Sequence, residues 1–371
     1  MRAVLYTSAG GPEVLHLVER PIPEPGPGEV RVRIHVSGVN PTDWKRRATA
    51  LTPGITEQVP NQDGAGVIDS IGQGVPESRL GQRVWIWEAA WQRPDGTAQE
   101  YVVLPERQSV PLPDNASFEL GASLGIPAVT AHRTLTVAEG GPERLTPGAL
   151  DGTTVLVAGG AGAVGNAAIQ LARWAGAGVI TTVSGPAKAR LASAAGADHV
   201  VNYRTGNAVE QVRAIAPEGV DIVVEVAPAA NAILDHAVAA PNATIAFYAD
   251  DGADAVHIPI REAMTKNLRW QGVLVYTVSE RAKDNAIAAV RTAVEDGALH
   301  VGEDAGVPLH LFALEDTAEA HSAVENGAIG KVLIHVAPSA RSGPATPDKS
   351  ATKTDTTEPA TGRQRARHAA V

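Results

Sequence analysis

The chain of 371 residues contains no cysteine. That excludes disulfides, cysteine-ligated structural zinc and a cysteine nucleophile. Aromatic residues make up only 4% of the sequence, and methionine occurs twice. No apolar run approaches the ~18 residues that a membrane-spanning helix needs. The opening Met1-Arg2-Ala3 leads into a short strand-like run, unlike the apolar segment of a signal peptide. No membrane partner is expected, and the expected location is cytoplasmic. Positive charge is also in deficit. A net charge of −10 argues against nucleic acid or an anionic membrane as a partner for the whole body.

What the chain does have is glycine (37), proline (26) and an apolar fraction of 44%, enough for substantial cores. Its length suggests two domains. Residues 153–175, TTVLVAGGAGAVGNAAIQLARWA, organise the rest. A β-branched apolar run is followed by a glycine turn, then by Val164, Ala168, Leu171, Ala172 and Ala175 at helical spacing. Gly160, Gly162 and Gly165 form a G-x-G-x-x-G. After a strand and before a helix, such a turn lets the backbone approach a pyrophosphate at the helix N-terminus. The plainer alternative is a glycine-rich turn in an alanine-rich protein.

Residues 1–126 read as mostly β, with strands expected at 3–6, 14–18, 30–36, 66–71, 83–87 and 100–104. Proline and glycine punctuate them, which suggests a compact barrel-like domain. A helical pattern follows from 118 to about 138, then a Gly/Pro-rich loop. From 153 strands and helices alternate, with strands expected at 153–158, 178–183, 199–203, 221–226, 244–248 and 268–275. That alternation implies a parallel, doubly wound sheet. An amphipathic helix at 279–297, a strand at 309–312, a helix at 314–326 and a strand at 332–336 close the folded part. Residues 337–371 are Ser, Thr, Pro, Ala and charge without period, and are expected to be disordered. That tail carries +3, leaving −13 on the body. Its end, RQRARH, has the charge to touch an acidic partner, though a solvated tail is the favoured reading.

An NAD site usually carries Asp or Glu at the end of the second strand, to hold the ribose 2′-OH. Here that strand ends Thr181-Thr182-Val183-Ser184-Gly185, with no carboxylate. Ser184 can donate to a phosphate, and Lys188 follows at the start of the next helix. This favours the 2′-phosphate of NADPH. Arg190 and Arg204 are weaker candidates, and an exposed helix lysine is the alternative for Lys188.

With GGPEVL at 10–15, GVNPTD at 38–43, DGAGVI at 63–68, GQRV at 81–84, IPAVTA at 126–131, GADHVVNYR at 196–204 and GKV at 330–332, the chain resembles the medium-chain dehydrogenase/reductase superfamily. Within it, the chain is most similar to the zinc-free, zeta-crystallin-like quinone oxidoreductases, over about residues 1–336. The resemblance implies a GroES-like β-rich catalytic domain (1–126 and 277–336), completed by the chain's end. A Rossmann NADPH-binding domain (127–276) is inserted, and the active cleft lies between them. It also implies a homodimer or homotetramer, pairing around 272–276. Where zinc alcohol dehydrogenases of the superfamily carry Cys and His-Glu ligands, this chain has Asn40 and Gln62-Asp63. No metal site is therefore expected. A metal-free cleft fits a quinone or enone acceptor, whose reduced form needs no Lewis acid to stabilise an alkoxide.

Carried over residue by residue, the resemblance places Asn40 and Thr130 at the nicotinamide ribose or ring. Gly160, Gly162, Ala163, Val164 and Gly165 fall at the pyrophosphate, and Ser184, Lys188 and Tyr203 at the adenosine 2′-phosphate. Phe247, Val273 and Val275 line the nicotinamide side, and Lys331 reaches the cofactor unless it is a surface lysine. The chain departs from the pattern after Asp43. Many family members carry one or two tyrosines there, whereas this chain reads Trp44-Lys45-Arg46-Arg47. Trp44 is placed to stack on a planar substrate and Lys45 to polarise a carbonyl, so both are candidate catalytic residues; a solvated turn is the alternative. Trp85 and Trp87 share a strand face and read as core, and Trp91 reads as the better substrate contact.

Three other readings stand beside NADPH:quinone reduction. One is reduction of an enoyl or alkenal C=C bond. Another is an NADPH-binding partner protein with little turnover. The third is a serine hydrolase, since Gly121-x-Ser123-x-Gly125 matches G-x-S-x-G, but that motif must follow a strand and here sits in a helical pattern.

Overall fold

The computed structural model describes residues 1–250 and 252–336. The disorder expected for 337–371 concerns residues outside the described ones. In the first domain, β1 (Arg2–Leu5) pairs antiparallel with β2 (His16–Glu19). The larger sheet is built on β3 (Glu29–Val39), β4 (Asp63–Ile71), β5 (Arg83–Ile86), β6 (Tyr101–Pro105) and β7 (Ser109–Pro111), with α1 (Pro41–Thr49) between β3 and β4. Val30, Val32, Ile34 and Val36 of β3 alternate inward, as a half-covered antiparallel strand requires. The second strand was expected from 14. Residues 12–14 instead form a 3₁₀ turn led by Pro12, so β2 begins at His16.

Helix α2 (Phe118–Leu135) starts at Ser117, whose hydroxyl accepts from the Leu120 N–H at 3.1 Å. The nucleotide domain then runs β8 (Thr154–Ala158), α3 (Ala163–Trp174), β9 (Gly178–Val183), α4 (Pro186–Ala194), β10 (His199–Asn202), α5 (Ala208–Ile215), β11 (Val220–Glu225), α6 (Pro228–Val238), β12 (Ala239–Phe247), α7 (Ile260–Lys266) and β13 (Arg269–Gly272). Its six strands are parallel, in the order β10-β9-β8-β11-β12-β13. β8 and β11 are central and almost wholly buried, because helices cover both faces. The order reverses between β8 and β11, and the crevice at the strand C-termini there is where such sheets hold a dinucleotide.

The chain ends with α8 (Glu280–Glu295), β14 (Leu309–Ala313), α9 (Thr317–Glu325) and β15 (Lys331–His335). β15 pairs antiparallel with β3, so the C-terminus completes the first sheet, in the order β14-β15-β3-β4-β5-β7 with β6 also on β3. Helix α8 buries Ala286, Ala289, Val290 and Ala293 in the core it shares with α2 and α3. It packs on α2 and on β7 of the first domain, and its Lys283 pairs with Glu88 at 2.8 Å. Amphipathicity shows that a helix buries a face; it does not show against what.

Helix α2 lies on both domains. A Cβ at Gly121 would stand 2.8 Å from the Ala65 Cβ of β4, and one at Gly125 would collide with the Asp63 side chain. These two glycines let the helix press onto the first sheet. Its Val129, Ala131 and Leu135 sit in one apolar cluster with Val155, Ala168 and Leu171 of the nucleotide domain.

Candidate active site

The glycine turn stands between β8 and α3, with Gly162 as the helix N-cap. The residue held at positive φ (71°) is Gly159, one position before the fingerprint. A Cβ at Gly160 would collide with Thr181 Oγ1, and one at Gly165 would stand 2.5 Å from the Gly159 carbonyl oxygen. Gly162 differs: its nearest neighbour would be 3.5 Å away. The N-cap has no side chain, so the first N–H groups of α3, on Ala163, Val164 and Gly165, are left for an anion. The turn fits a pyrophosphate.

The Tyr203 N–H donates to the Val183 carbonyl at 3.1 Å, which seats Tyr203 beside Ser184 at the ends of neighbouring strands. Ser184 and Lys188 are half-buried, while Tyr203 is 49% exposed. Lys188 has no ion-pair partner among the described residues. On the other side of the crevice, Phe247 ends β12, and its carbonyl accepts from the Val273 N–H at 2.8 Å. Val273 and Val275 are buried, and Thr130 lies buried in α2.

In the first domain, β15, β3 and β4 lie side by side. The register pairs Gly38 with Asp63 and Val39 with Val332. Asn40, just past β3, therefore meets Asp63 and Lys331. The Asn40 amide donates to Asp63 Oδ2 at 2.7 Å, and Lys331 Nζ donates to Asn40 Oδ1 at 2.7 Å and to Asp63 Oδ2 at 3.4 Å. Asp63 Oδ1 accepts from the Ile126 N–H of α2 at 2.8 Å. Lys331 is 2% exposed, so it is no surface lysine, and its ammonium is held by Asn40 and Asp63. Burial lowers the Lys331 pKa and raises that of Asp63, and their mutual attraction opposes both shifts. Asp43 accepts from the Asn40 N–H at 2.7 Å, and burial pushes its carboxyl up to about 8.

The solvated-turn alternative for residues 44–47 is overturned. They belong to α1, and Arg47 is fully buried, reaching the Gly10 carbonyl at 3.2 Å and Glu325 at 2.8 Å. Sequence reading missed this helix, although Asn40 at the N-cap, Pro41 next and Asp43 three residues on are start signals. Trp44 is half-buried. Lys45 is exposed and pairs with Asp250, beyond β12, at 3.0 Å.

Trp85 and Trp87 are buried core, as read. Trp91 stacks on Tyr276, with ring centroids 4.5 Å apart and planes 20° apart, and the Arg46 guanidinium lies 5.5 Å from the Trp91 ring centroid. The loop carrying Trp91 is held in strained backbone, since Glu88 and Gln92 both have positive φ (52° and 55°). Buried Glu88 pairs with buried Lys283 at 2.8 Å, and Lys283 also donates to the Tyr276 carbonyl at 3.1 Å. Tyr276, in the turn after β13, is buried between these groups.

Ser123 lies in the interior of α2 and donates to the Glu119 carbonyl at 2.7 Å. It has neither the preceding strand nor the sharp turn of a nucleophile elbow, so the hydrolase reading fails. Among the described residues, no group of three His, Cys, Asp or Glu side chains is placed to hold a metal ion, and no helix is long and apolar enough to cross a membrane.

Comparison with known proteins agrees with this fold. Residues 26–114 match the family described as alcohol dehydrogenase GroES-like domain, and residues 163–292 the family described as zinc-binding dehydrogenase. The chain is 28% identical to the quinone oxidoreductase of Rattus norvegicus over 341 residues, covering 90% of this chain and 97% of that protein. The Homo sapiens quinone oxidoreductase matches at the same identity and coverage. Among solved structures, an NAD-dependent alcohol dehydrogenase superposes with a TM-score of 0.77 at 31% identity, covering 91% of this chain and all of that one. A mycobacterial protein complexed with NADPH gives a TM-score of 0.74 at 27% identity, over 91% of this chain and 100% of its own.

Proposed function

As the chain belongs to the medium-chain dehydrogenase/reductase superfamily, in its quinone oxidoreductase branch, and is an oxidoreductase, we propose that it reduces a quinone with NADPH and without a metal. The observation that carries this reading is the Asn40–Asp63–Lys331 cluster. It fills with hydrogen bonds the positions where metal-dependent relatives of the superfamily place ligands. The chain has no cysteine to restore them.

The N–H groups at the start of α3 would hold the pyrophosphate, and Gly162 would let it approach. Ser184, Lys188 and Tyr203 would take the 2′-phosphate, which favours NADPH over NADH. Asn40 and Thr130 would border the nicotinamide ribose, with Phe247, Val273 and Val275 against the ring. When bound there, the nicotinamide supplies a hydride. Lys331 and Asp63 orient the Asn40 amide. The apolar wall of Val273 and Val275 excludes water, so that donor and acceptor meet in a dry site. The reduced quinone is a delocalised anion that solvent can protonate, and no general acid is assigned. A cytoplasmic enzyme pairing as a dimer through the β13 edge completes the reading. A second reading, reduction of an enal C=C bond, fits the same cleft.

The test is initial-rate oxidation of NADPH and NADH, side by side, against benzoquinone, naphthoquinone, phenanthrenequinone and 2-enals with a chelator present. Quinone turnover that prefers NADPH and ignores the chelator is expected. Turnover confined to enals would replace the reading by the second one, and chelator sensitivity would defeat its metal-free part.

A further inference from the structure

Of the basic residues in α1, Lys45 pairs with Asp250 and Arg47 with Glu325, but Arg46 has no carboxylate partner among the described residues. Its Nη2 donates to Thr52 Oγ1, and its Nε is buried without a partner. Nη1 is neither buried nor hydrogen-bonded, so one edge of the guanidinium is unused. The group is nonetheless held in place. Its carbon lies 5.5 Å from the Trp91 ring centroid, and Trp91 stacks in turn on Tyr276. A cation half withdrawn from water onto an aromatic face, with no counter-charge, favours an anion at its free edge. Its place in the fold says which anion. Helix α1 begins at Asn40, which is proposed to border the nicotinamide, and Tyr276 directly follows Val275 of the other proposed wall. Arg46 stands one and a half turns past Asn40, about 9 Å along the helix at the usual rise per residue. That is the span of a two-ring acceptor bearing one substituent.

We propose that Arg46 is a specificity-determining residue: its free Nη1 binds a carboxylate or similar anionic group carried by the acceptor on the end away from the nicotinamide. This rests on the hydride-transfer reading and narrows its substrate class to planar acceptors with a negative charge. Trp91 and Arg46 are both half-buried, so each keeps surface that a ligand can reach. Trp91 supplies a flat apolar face for the ring, and the guanidinium supplies a charge-assisted donor for the substituent. The arginine stands in the stretch where many members of the resembled family carry tyrosine, so the charge is a feature of this chain. No proton or electron moves through Arg46 in this role. It selects the acceptor by charge and sets which end of it faces the nicotinamide.

The test uses the full chain saturated with NADP⁺, which delivers no hydride. Equilibrium dialysis measures binding of 1,4-naphthoquinone-6-carboxylate and of its neutral 6-carboxamide, which match in size and differ in charge. The wild type is expected to prefer the carboxylate by about tenfold, the scale of a charge-assisted hydrogen bond. Arg46→Met keeps an apolar stem against Trp91 and is expected to bind both compounds alike while retaining NADP⁺. An Arg46→Met variant that keeps the preference overturns the proposal. So does one that loses both quinones together with NADP⁺, as a purely structural role would require. Absence of any preference in the wild type overturns it without recourse to a variant. Turnover with NADPH separates the two levels. A wild type that reduces these quinones without favouring the carboxylate refutes the role of Arg46 alone. A wild type that reduces neither the neutral nor the charged quinone refutes the hydride-transfer reading.

Discussion

Lys331 and Asn40, 291 residues apart in sequence, meet side chain to side chain at 2.7 Å inside the first domain. Gly38 lies beside it: a Cβ there would collide with the Ala122 carbonyl oxygen of α2 and stand 3.2 Å from the lysine Cε. Removing the ammonium leaves Asp63 buried with its charge unpaired. Lys331→Met is therefore expected to cost about 3–5 kcal/mol, the usual result of breaking a buried pair from one side. Urea denaturation measures it. A loss below about 0.5 kcal/mol, the level of an ordinary surface substitution, would mean that the pair is not charged in the fold.

Two glycines of the same turn should respond differently to alanine. Gly162→Ala has room for its methyl and an ordinary backbone (φ −85°), so its melting temperature should hold. Its methyl would meet the phosphate, and the dissociation constant for NADPH should rise at least about tenfold. Gly160→Ala should lose stability outright, because its methyl meets Thr181. Differential scanning and fluorescence titration on both variants check this.

Lys188→Ala should lower the preference for NADPH over NADH by about tenfold, the scale of a charge-assisted phosphate contact. The ratio of kcat/KM values for the two cofactors reads it directly. An unchanged ratio would remove Lys188 from the 2′-phosphate site.

Acid should unfold the protein through two buried imidazoles. His132 accepts from the Leu145 N–H at 3.2 Å, and His321 bonds Asn61 at 2.9 Å. Burial pushes both down to about 3 from an ordinary 6.5. Between those values the unfolded chain binds protons that the folded one refuses. Stability is therefore full above pH 6.5 and falls as pH drops toward 3, by up to about 1.4 kcal/mol per pH unit for each histidine. Replacing both with glutamine should flatten the acid limb of a stability-against-pH curve measured in urea.

The nucleotide half was largely readable, because its signals are local. A β-branched run, three glycines and a helical stripe all fall within 153–175. The parallel, doubly wound arrangement followed from alternation and handedness, and the strand order came from the structure. The assignment of Trp85 and Trp87 to the core also rested on simple period-two geometry. What escaped depends on pairings between distant segments. Nothing near Lys331 shows that its ammonium ends on Asn40, because the register of β15 against β3 decides it. The stack of Trp91 on Tyr276 escaped for the same reason, since it joins segments 185 residues apart. For Arg47 a solvated turn was left open, yet Glu325 and the Gly10 carbonyl receive it in a buried site. Helix α1 was missed despite an adequate local signal.

Because α2 belongs to the packing of both sheets, the two halves of this chain are not free to melt in turn. Its Gly121 and Gly125 face one sheet, and Val129 and Leu135 enter the other core. Loss of either core strips the partner of a wall. Heating should then give one calorimetric transition, with van't Hoff and calorimetric enthalpies in agreement, for a protein whose architecture would suggest two.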